Sequence, residues 1–517
     1  MKKLTTEIKN HYYFPRYSGW IFLILFLIFS LFYNYQTILF LAPQSIHIWR
    51  QCDCLSIAMN YFQDNNPFLQ PSVHNLGSDG TGKSVSEFPL LYYAIGQLWK
   101  IFGHHEFIYR FLVLLFFFFG LLSLHKLIEN ILKDSILALI FTLLLFSSPT
   151  LVFYANNFLM NIPAFSLALI GLYFFFRFTE TSKNRYFYLF ALSYALAGLL
   201  KITSLLSFVA IFGLFLLELS GVQMMQEKKI FQHPKKQLLL FLLVFCIQIL
   251  WYWYAVSYDR RYNGGFFLLG ILPIWDFSLA QIKTTLEGIN NQIMVTHFLK
   301  ITPSALLIMF ILIIIFYKKI DKKLFVLTIL CSIGVVLMVL LFFQVLDSHD
   351  YYAIDLFIIV PFISLSFLTG LKNNFNNIYT SVLFRVMLVI ILCYNVDFAR
   401  SRMISRYDPG GWEDDLFVKY VGTFCEIKPY LHSIGIKEND RVWSMSDNSI
   451  NISLYLMNQK GWTNYGVDTH PANVDKIKKL GAKYLVIYNK EDYSNKDIQP
   501  YIKHKIGEYK NVDIYRL

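Results

Sequence analysis

The sequence predicts an α-helical polytopic membrane protein with a small α/β unit at its C-terminal end. Three observations carry that prediction. Of the 517 residues, 56% are hydrophobic and only 15% are charged, whereas an ordinary soluble domain has roughly a quarter charged. Apolar runs of about 18 residues or more recur from residue 20 to residue 396, each long enough for a hydrocarbon core about 30 Å thick. From residue 397 onward the chain is charged, rich in turn residues and broken into short β-like runs.

Residues 1–18 form a basic lead with Lys2, Lys3, Lys9 and Arg16, expected on the cytoplasmic side. No cleavable signal is expected, because the first apolar run is too long for a signal h-region and no small-residue cleavage site follows. Residues 20–41 read as the first span, running outward and closed by Pro43. The further spans are expected at 107–124, 136–154, 161–176, 186–200, 202–219, 238–256, 305–317, 325–346, 353–371 and 381–396, roughly eleven in all. Placed so, the Lys and Arg clusters at 126–133, 177–185, 228–236, 318–323 and 372 fall on one side, the bias that sets topology. Arg50, Lys83, Lys201, Arg260 and Arg261 fall on the other side. The net charge of +12 therefore reflects membrane topology and not nucleic-acid binding. Arg385 in the last span is expected to snorkel.

An odd span count puts the tail outside. Residues 1–396 are thus expected to form the transmembrane region, with outer loops at about 43–106 and 257–302. Residues 397–517 are expected to form an extracytoplasmic α/β unit, with strands near 441–445 and 484–488 and helical patterning at 450–457 and 473–480.

The chemistry is expected in the first outer loop. Trp49, Asp53, Ile57 and Tyr61 fall at helical spacing, which predicts a short helix along the membrane interface. Residues 67–87 read as a true loop, and 88–102 as an interfacial or re-entrant helix. A partly desolvated carboxylate at Asp53 can serve as a general base; the plainer reading is a solvated loop acid. Glu87 lies where the loop re-enters the membrane, where a carboxylate can also simply favour a helix start. Lys201 between two apolar runs marks either a functional cation or a headgroup anchor. His349 and Asp350, followed by Tyr351 and Tyr352, stand at the mouth of a span, where a histidine can face a phosphate or belong to an ordinary aromatic belt. Arg110 is a further cation near the start of a span. Cys52 and Cys54 are too few ligands for a zinc site and read as small packing residues. Gly264-Gly265 is not a phosphate cradle, since no P-loop or dinucleotide pattern surrounds it.

Together, Trp49-Arg50-Gln51-Cys52-Asp53, Ser56 to Asn60 and Glu87-Phe88-Pro89-Leu90 resemble bacterial members of the GT-C glycosyltransferases. The similarity is to the branch related to dolichyl-phosphate-mannose protein mannosyltransferases and aminoarabinose transferases (family 39-like). Lys201-Ile202-Thr203, His349 to Tyr352 with Pro361, and Gly481 to Val486 add to it. The resemblance implies a polyprenyl-phosphate sugar donor, inverting transfer at the outer face of a bacterial plasma membrane, and a glycan, lipid or protein acceptor. It implies Asp53 as the catalytic residue with Glu87 beside it. Lys201 and His349, with Arg110, would face the donor phosphate, and Trp49, Arg50, Tyr351 and Tyr352 would line the cavity. Many relatives carry an adjacent acidic pair where this chain has Asp53 between two cysteines, and an acidic residue where it has Ala164. A divalent metal is left open without an acidic pair to support it, and no other cofactor is implied.

The competing readings are a non-catalytic assembly or polymerase partner, with the tail as its binding module, and a transporter or flippase for a lipid-linked or small solute. Transporters show paired halves and broken, charged helices at the midplane; here the polar residues gather in outer loops and the halves do not match.

Overall fold

In the computed structural model, residues 12–225, 229–267, 270–408 and 415–517 are described; Lys2, Lys3, Lys9 and Lys228 lie outside them. Among the described residues, eight helices are long and apolar enough to cross a bilayer. The bent pair Ser135–Leu145 and Pro149–Ala155 adds a ninth candidate. The other two segments expected to span, Asn184–Leu200 and Ile301–Ile315, are helices of 17 and 15 residues, shorter than a full crossing. The expected eleven segments are thus all helical, but two fall short of that length.

Two of the expected spans change shape for local reasons. The first helix, Pro15–Phe32, stops well before residue 41 because Asn34 takes a left-handed conformation, φ 62°. The span expected at 136–154 bends by 78°. Pro149 cannot donate to the preceding turn, and Ser148 starts the second piece by accepting from the Leu151 amide.

The helices Asn161–Thr181 and Asp350–Asn374 are the most enclosed of the candidate spans. Gly120 permits close packing there, since a Cβ on it would lie 2.7 Å from Ser166 Cα. Arg385 does not snorkel. It is buried and donates to both Asp134 oxygens at 2.7 and 3.2 Å, joining the Val382–Ser405 helix to the start of Ser135–Leu145. An exposed position would leave it to headgroups; a buried one requires a partner.

The tail carries a five-stranded sheet in the order β2-β1-β3-β5-β4, with β1 Arg441–Ser444, β2 Gly461–Thr463, β3 Ala482–Ile487, β4 Lys505–Tyr509 and β5 Val512–Arg516. β2, β1 and β3 run parallel, and β5 and β4 close the edge antiparallel. Helices Ile452–Met457 and Pro471–Lys479 lie where the patterning placed them. The last apolar helix runs on to Ser405, so the boundary expected at 396/397 falls inside it.

The first polar loop is sewn to this sheet. Asn75 bridges Gly461 in parallel, the Leu76 amide donates to Gly461 O at 2.7 Å, and the Gly461 amide donates to His74 O at 3.1 Å. Leu76 enters the apolar core formed by Trp443, Trp462 and Leu485. The other polar loop also leans on this one. Gly264 approaches so closely that a Cβ would lie 2.1 Å from Lys83 O, which only glycine allows.

Candidate active site

The Ile48–Gln63 helix carries the central carboxylate. Its residues from Gln51 to Tyr61 are all buried, so the protein encloses the helix and leaves little of it to solvent. Trp49 is 40% exposed and meets Tyr465 edge-on, while Asp53 is 2% exposed. Cys52 and Cys54 are packed within the core.

Asp53 Oδ1 accepts from the Asn451 amide at 2.8 Å. Asn451 Oδ1 in turn accepts from the Asn75 backbone N–H at 3.0 Å and the Ser56 hydroxyl at 3.4 Å. Those two donors fix which way the amide points. Burial pushes the Asp53 carboxyl up to about 7, against the downward pulls of Arg50 and the Asn451 hydrogen bond, with Glu87 adding to the rise.

Glu87 is a different kind of carboxylate. Arg50 grips it at 2.5 and 2.6 Å, the Ser86 hydroxyl donates at 2.5 Å and the Tyr92 hydroxyl at 2.9 Å. Burial pushes it up, but Arg50, Lys201 and the Ser86 hydrogen bond outweigh burial and bring it down to about 2. Phe267 covers the Arg50 guanidinium at 5.1 Å. The pair therefore holds one helix residue and one loop residue together as a fixed dipole, leaving Asp53 as the titrating group.

The loop's return is anchored where Lys201 stands. The Phe88 amide donates to Leu199 O at 3.1 Å. Lys201 ends the Asn184–Leu200 helix in extended backbone, φ −157°, before the short turn Ile202–Leu205. Its ammonium lies 4.3 Å from the centre of the Tyr352 ring, and no carboxylate stands within ion-pair distance among the described residues. The adjacent Thr203 and Ser204 hydroxyls both donate to buried Asp355, which fixes the break in the chain.

A second cluster borders the first. Asp350 accepts from Tyr154 at 2.5 Å and Arg406 at 2.8 Å, and lies 3.3 Å from His47 Nε2. His47 caps the Ile48–Gln63 helix in left-handed backbone, φ 57°. Its ring stacks on His349 at 5.4 Å and meets Tyr351 edge-on at 5.0 Å. Burial, with repulsion from His47 and Lys201, brings His349 down to about 4; at neutral pH it offers hydrogen bonds and not charge.

The structure thus draws together Arg50, Asp53 and Glu87, and sets Lys201, His349, Tyr351 and Tyr352 on the facing segments. Arg110 has another position. It is fully buried, donates to the carbonyls of Asn156, Leu41 and Ala42 at 2.6–3.2 Å, and lies over Phe158. That geometry commits both terminal nitrogens of Arg110 to backbone carbonyls around the turn after the first span. Sequence reasoning missed Asn451, His47, Arg406 and Asp355. For Arg406 and Asp355 a signal existed, an ionisable residue in or at the end of an apolar run; for Asn451 none did.

Chemically, the arrangement offers one buried carboxylate titrating near neutrality, one cation with no close ion pair among the described residues, and a polar wall of hydroxyls and imidazoles. Among the described residues, no three His, Cys, Asp or Glu side chains converge in a way that could hold a metal.

Residues 86–253 match the family model described as dolichyl-phosphate-mannose-protein mannosyltransferase. No curated protein sequence matches the chain. Among solved structures, the fold is similar to that of ArnT from Cupriavidus metallidurans bound to undecaprenyl phosphate, with TM-score 0.59 and 11% identity over 96% of this chain and 98% of that one. It is also similar to the Archaeoglobus fulgidus oligosaccharyltransferase in complex with zinc and sulfate, with TM-score 0.52 and 13% identity over 90% and 67%. A third is the arabinofuranosyltransferase AftD from Mycobacteria, with TM-score 0.50 and 12% identity over 96% of this chain but 41% of that one. The expected architecture, a polytopic helical bundle with a small C-terminal sheet, is the fold observed.

Proposed function

We propose that the protein is an inverting membrane glycosyltransferase that moves a sugar from a polyprenyl-phosphate donor to a hydroxyl or phosphate acceptor at the outer face of a bacterial plasma membrane. The observation that carries this reading is the contrast between two neighbouring carboxylates. Glu87 is locked as an anion by Arg50, whereas Asp53 titrates near neutrality and, among the described residues, accepts from Asn451 alone. Pairs of carboxyls whose environments separate their pKa values mark divided roles.

The fold shared with ArnT, a protein solved with undecaprenyl phosphate, supports a lipid-phosphate donor, and the matched family description supports sugar transfer. In the reaction, the acceptor oxygen attacks the anomeric carbon while the bond to the phosphate oxygen breaks. Ionised Asp53 takes the acceptor proton. The lipid phosphate leaves as an anion, and Lys201, with hydrogen bonds from the His349 and Tyr351 side of the cleft, receives its charge. Arg50 and Glu87 keep the carboxylate helix and the returning loop in register. Attack from the face opposite the leaving phosphate inverts the anomeric centre.

The test is sugar transfer by purified protein supplied with polyprenyl-phosphate sugar. Asp53→Asn should express, fold and lose turnover; retained turnover in that variant would remove Asp53 from the chemistry and this reading with it.

A further inference from the structure

A cavity of about 780 Å³ lies on the other side of the Ile48–Gln63 helix, between the first polar loop and the tail. Its walls include Phe62, His74, His104, Tyr455 and Asn458. The volume is in the range of about 300–1,000 Å³ that small-molecule sites occupy.

Both lysines on its walls are paired. Lys460 pairs with Asp64, and Lys428 with Glu438 at 2.7 Å. Glu106 has no ion-pair partner among the described residues and accepts the Tyr455 hydroxyl at 2.6 Å. What remains toward the cavity is neutral and hydrogen-bonds in both directions. His74 is 1% exposed; Nδ1 meets the Ser56 hydroxyl at 2.8 Å, and the Asn458 side chain stands against the ring. Burial brings this imidazole down to about 3, so it is uncharged at neutral pH. Gln63 and Asn458 supply amides, bonded to each other at 3.1 Å. The His104 ring stands edge-on to Trp99 at 4.6 Å and near-parallel to Phe62 at 6.4 Å, a flat apolar wall beside the polar ones.

With both lysines paired and the Glu106 carboxylate in the wall, an anionic chain has no reason to enter. Imidazole and amide groups that both donate and accept match sugar hydroxyls, and aromatic faces match the apolar face of a sugar ring. The floor of the cavity also touches the candidate catalytic centre. Ser56, which holds His74, donates as well to Asn451, whose amide holds Asp53.

We propose that this cavity binds a neutral glycan chain, holding sugars of the acceptor beyond the one that reacts; the assignment to the acceptor rests on the glycosyltransferase reading. The test uses full-length protein in lipid nanodiscs against an array of neutral oligosaccharides and of acidic ones bearing uronic or sialic acid. Neutral chains of two or more sugars should be retained, and binding should fall tenfold or more in His104→Leu and in Asn458→Gly. The glycine variant keeps the left-handed backbone at φ 53°, so loss of binding there reports the amide and not a misfold. The KM for a bound glycan acceptor should rise in Asn458→Gly, while the KM for a short alcohol acceptor stays the same. No retention of any neutral glycan, a preference for acidic chains, or binding unmoved by both variants would overturn the proposal. Asp53→Asn should bind glycan like the wild type, so a failure of the catalytic reading leaves this one standing and is told apart from it.

Discussion

Asn451 of the tail donates to Asp53 of the first polar loop across 2.8 Å, from 398 positions away in the sequence. The amide can present its NH₂ group there because its oxygen is occupied by the Asn75 N–H and the Ser56 hydroxyl. A hydrogen bond to an ionised group stabilises that form by about 1.5–3 kcal/mol, equivalent to roughly one to two pKa units. Asn451→Ala should therefore raise the Asp53 pKa from about 7. With Asp53 acting as an ionised base, as proposed, the rising limb of kcat/KM against pH should move to higher pH. Activity should fall at neutral pH and recover in alkali. A uniform loss at every pH would make Asn451 merely structural.

Asp53→Asn should lower turnover by at least about a hundredfold, since a positioned base supplies a factor of about 10² to 10⁴. Glu87→Gln should do less to the chemistry and more to the fold, because it strands Arg50 without its partner, a loss of about 3–5 kcal/mol for a buried pair. Transfer rates normalised to folded protein separate the two. Near-full turnover in Asp53→Asn beside a dead but folded Glu87→Gln would exchange their roles.

Lys201 lies against Tyr352 with no carboxylate within ion-pair distance among the described residues, poised for an anion. Lys201→Met should raise the donor KM about ten- to hundredfold, as expected for a charge-assisted hydrogen bond of roughly 1.5–3 kcal/mol, with kcat less affected. Unchanged donor affinity would return Lys201 to anchoring headgroups.

The Arg385–Asp134 pair is a prediction about stability alone. Asp134→Asn keeps an oxygen to cap the Leu137 amide but leaves Arg385 buried and unpaired, at about 3–5 kcal/mol. The melting temperature in detergent should fall clearly, with specific transfer activity preserved in the folded fraction below it. Pairing Asp134→Leu with Arg385→Met should regain much of the loss.

The tail should face away from the cytoplasm. A reporter fused after Leu517 that is active only outside the cytoplasm should give signal; a cytoplasm-only signal would reverse the sidedness assigned to Asp53.

What the sequence determined by itself was everything written in local pattern. Runs of apolar residues must be helical in lipid, because no other local structure satisfies their backbone there, so the spans and the α/β tail were legible in order. Asp53 and Glu87 stood out because carboxylates are scarce in such a chain. What only the tertiary structure decided was which polar groups meet. Arg110 and Lys201 look alike in sequence, each a cation beside an apolar run, yet one is consumed by three carbonyl oxygens and the other is left against an aromatic ring. Asn451 carries no periodicity or motif, and His47 and Asp350 lie three hundred residues apart; their hydrogen bonds follow from chain crossings that no window of sequence contains. The burial of Asp53 belongs to this second kind. It arises because the tail's sheet is sewn to the first loop at Asn75 and Gly461, and that burial is what moves a carboxyl into the range of a neutral-pH base.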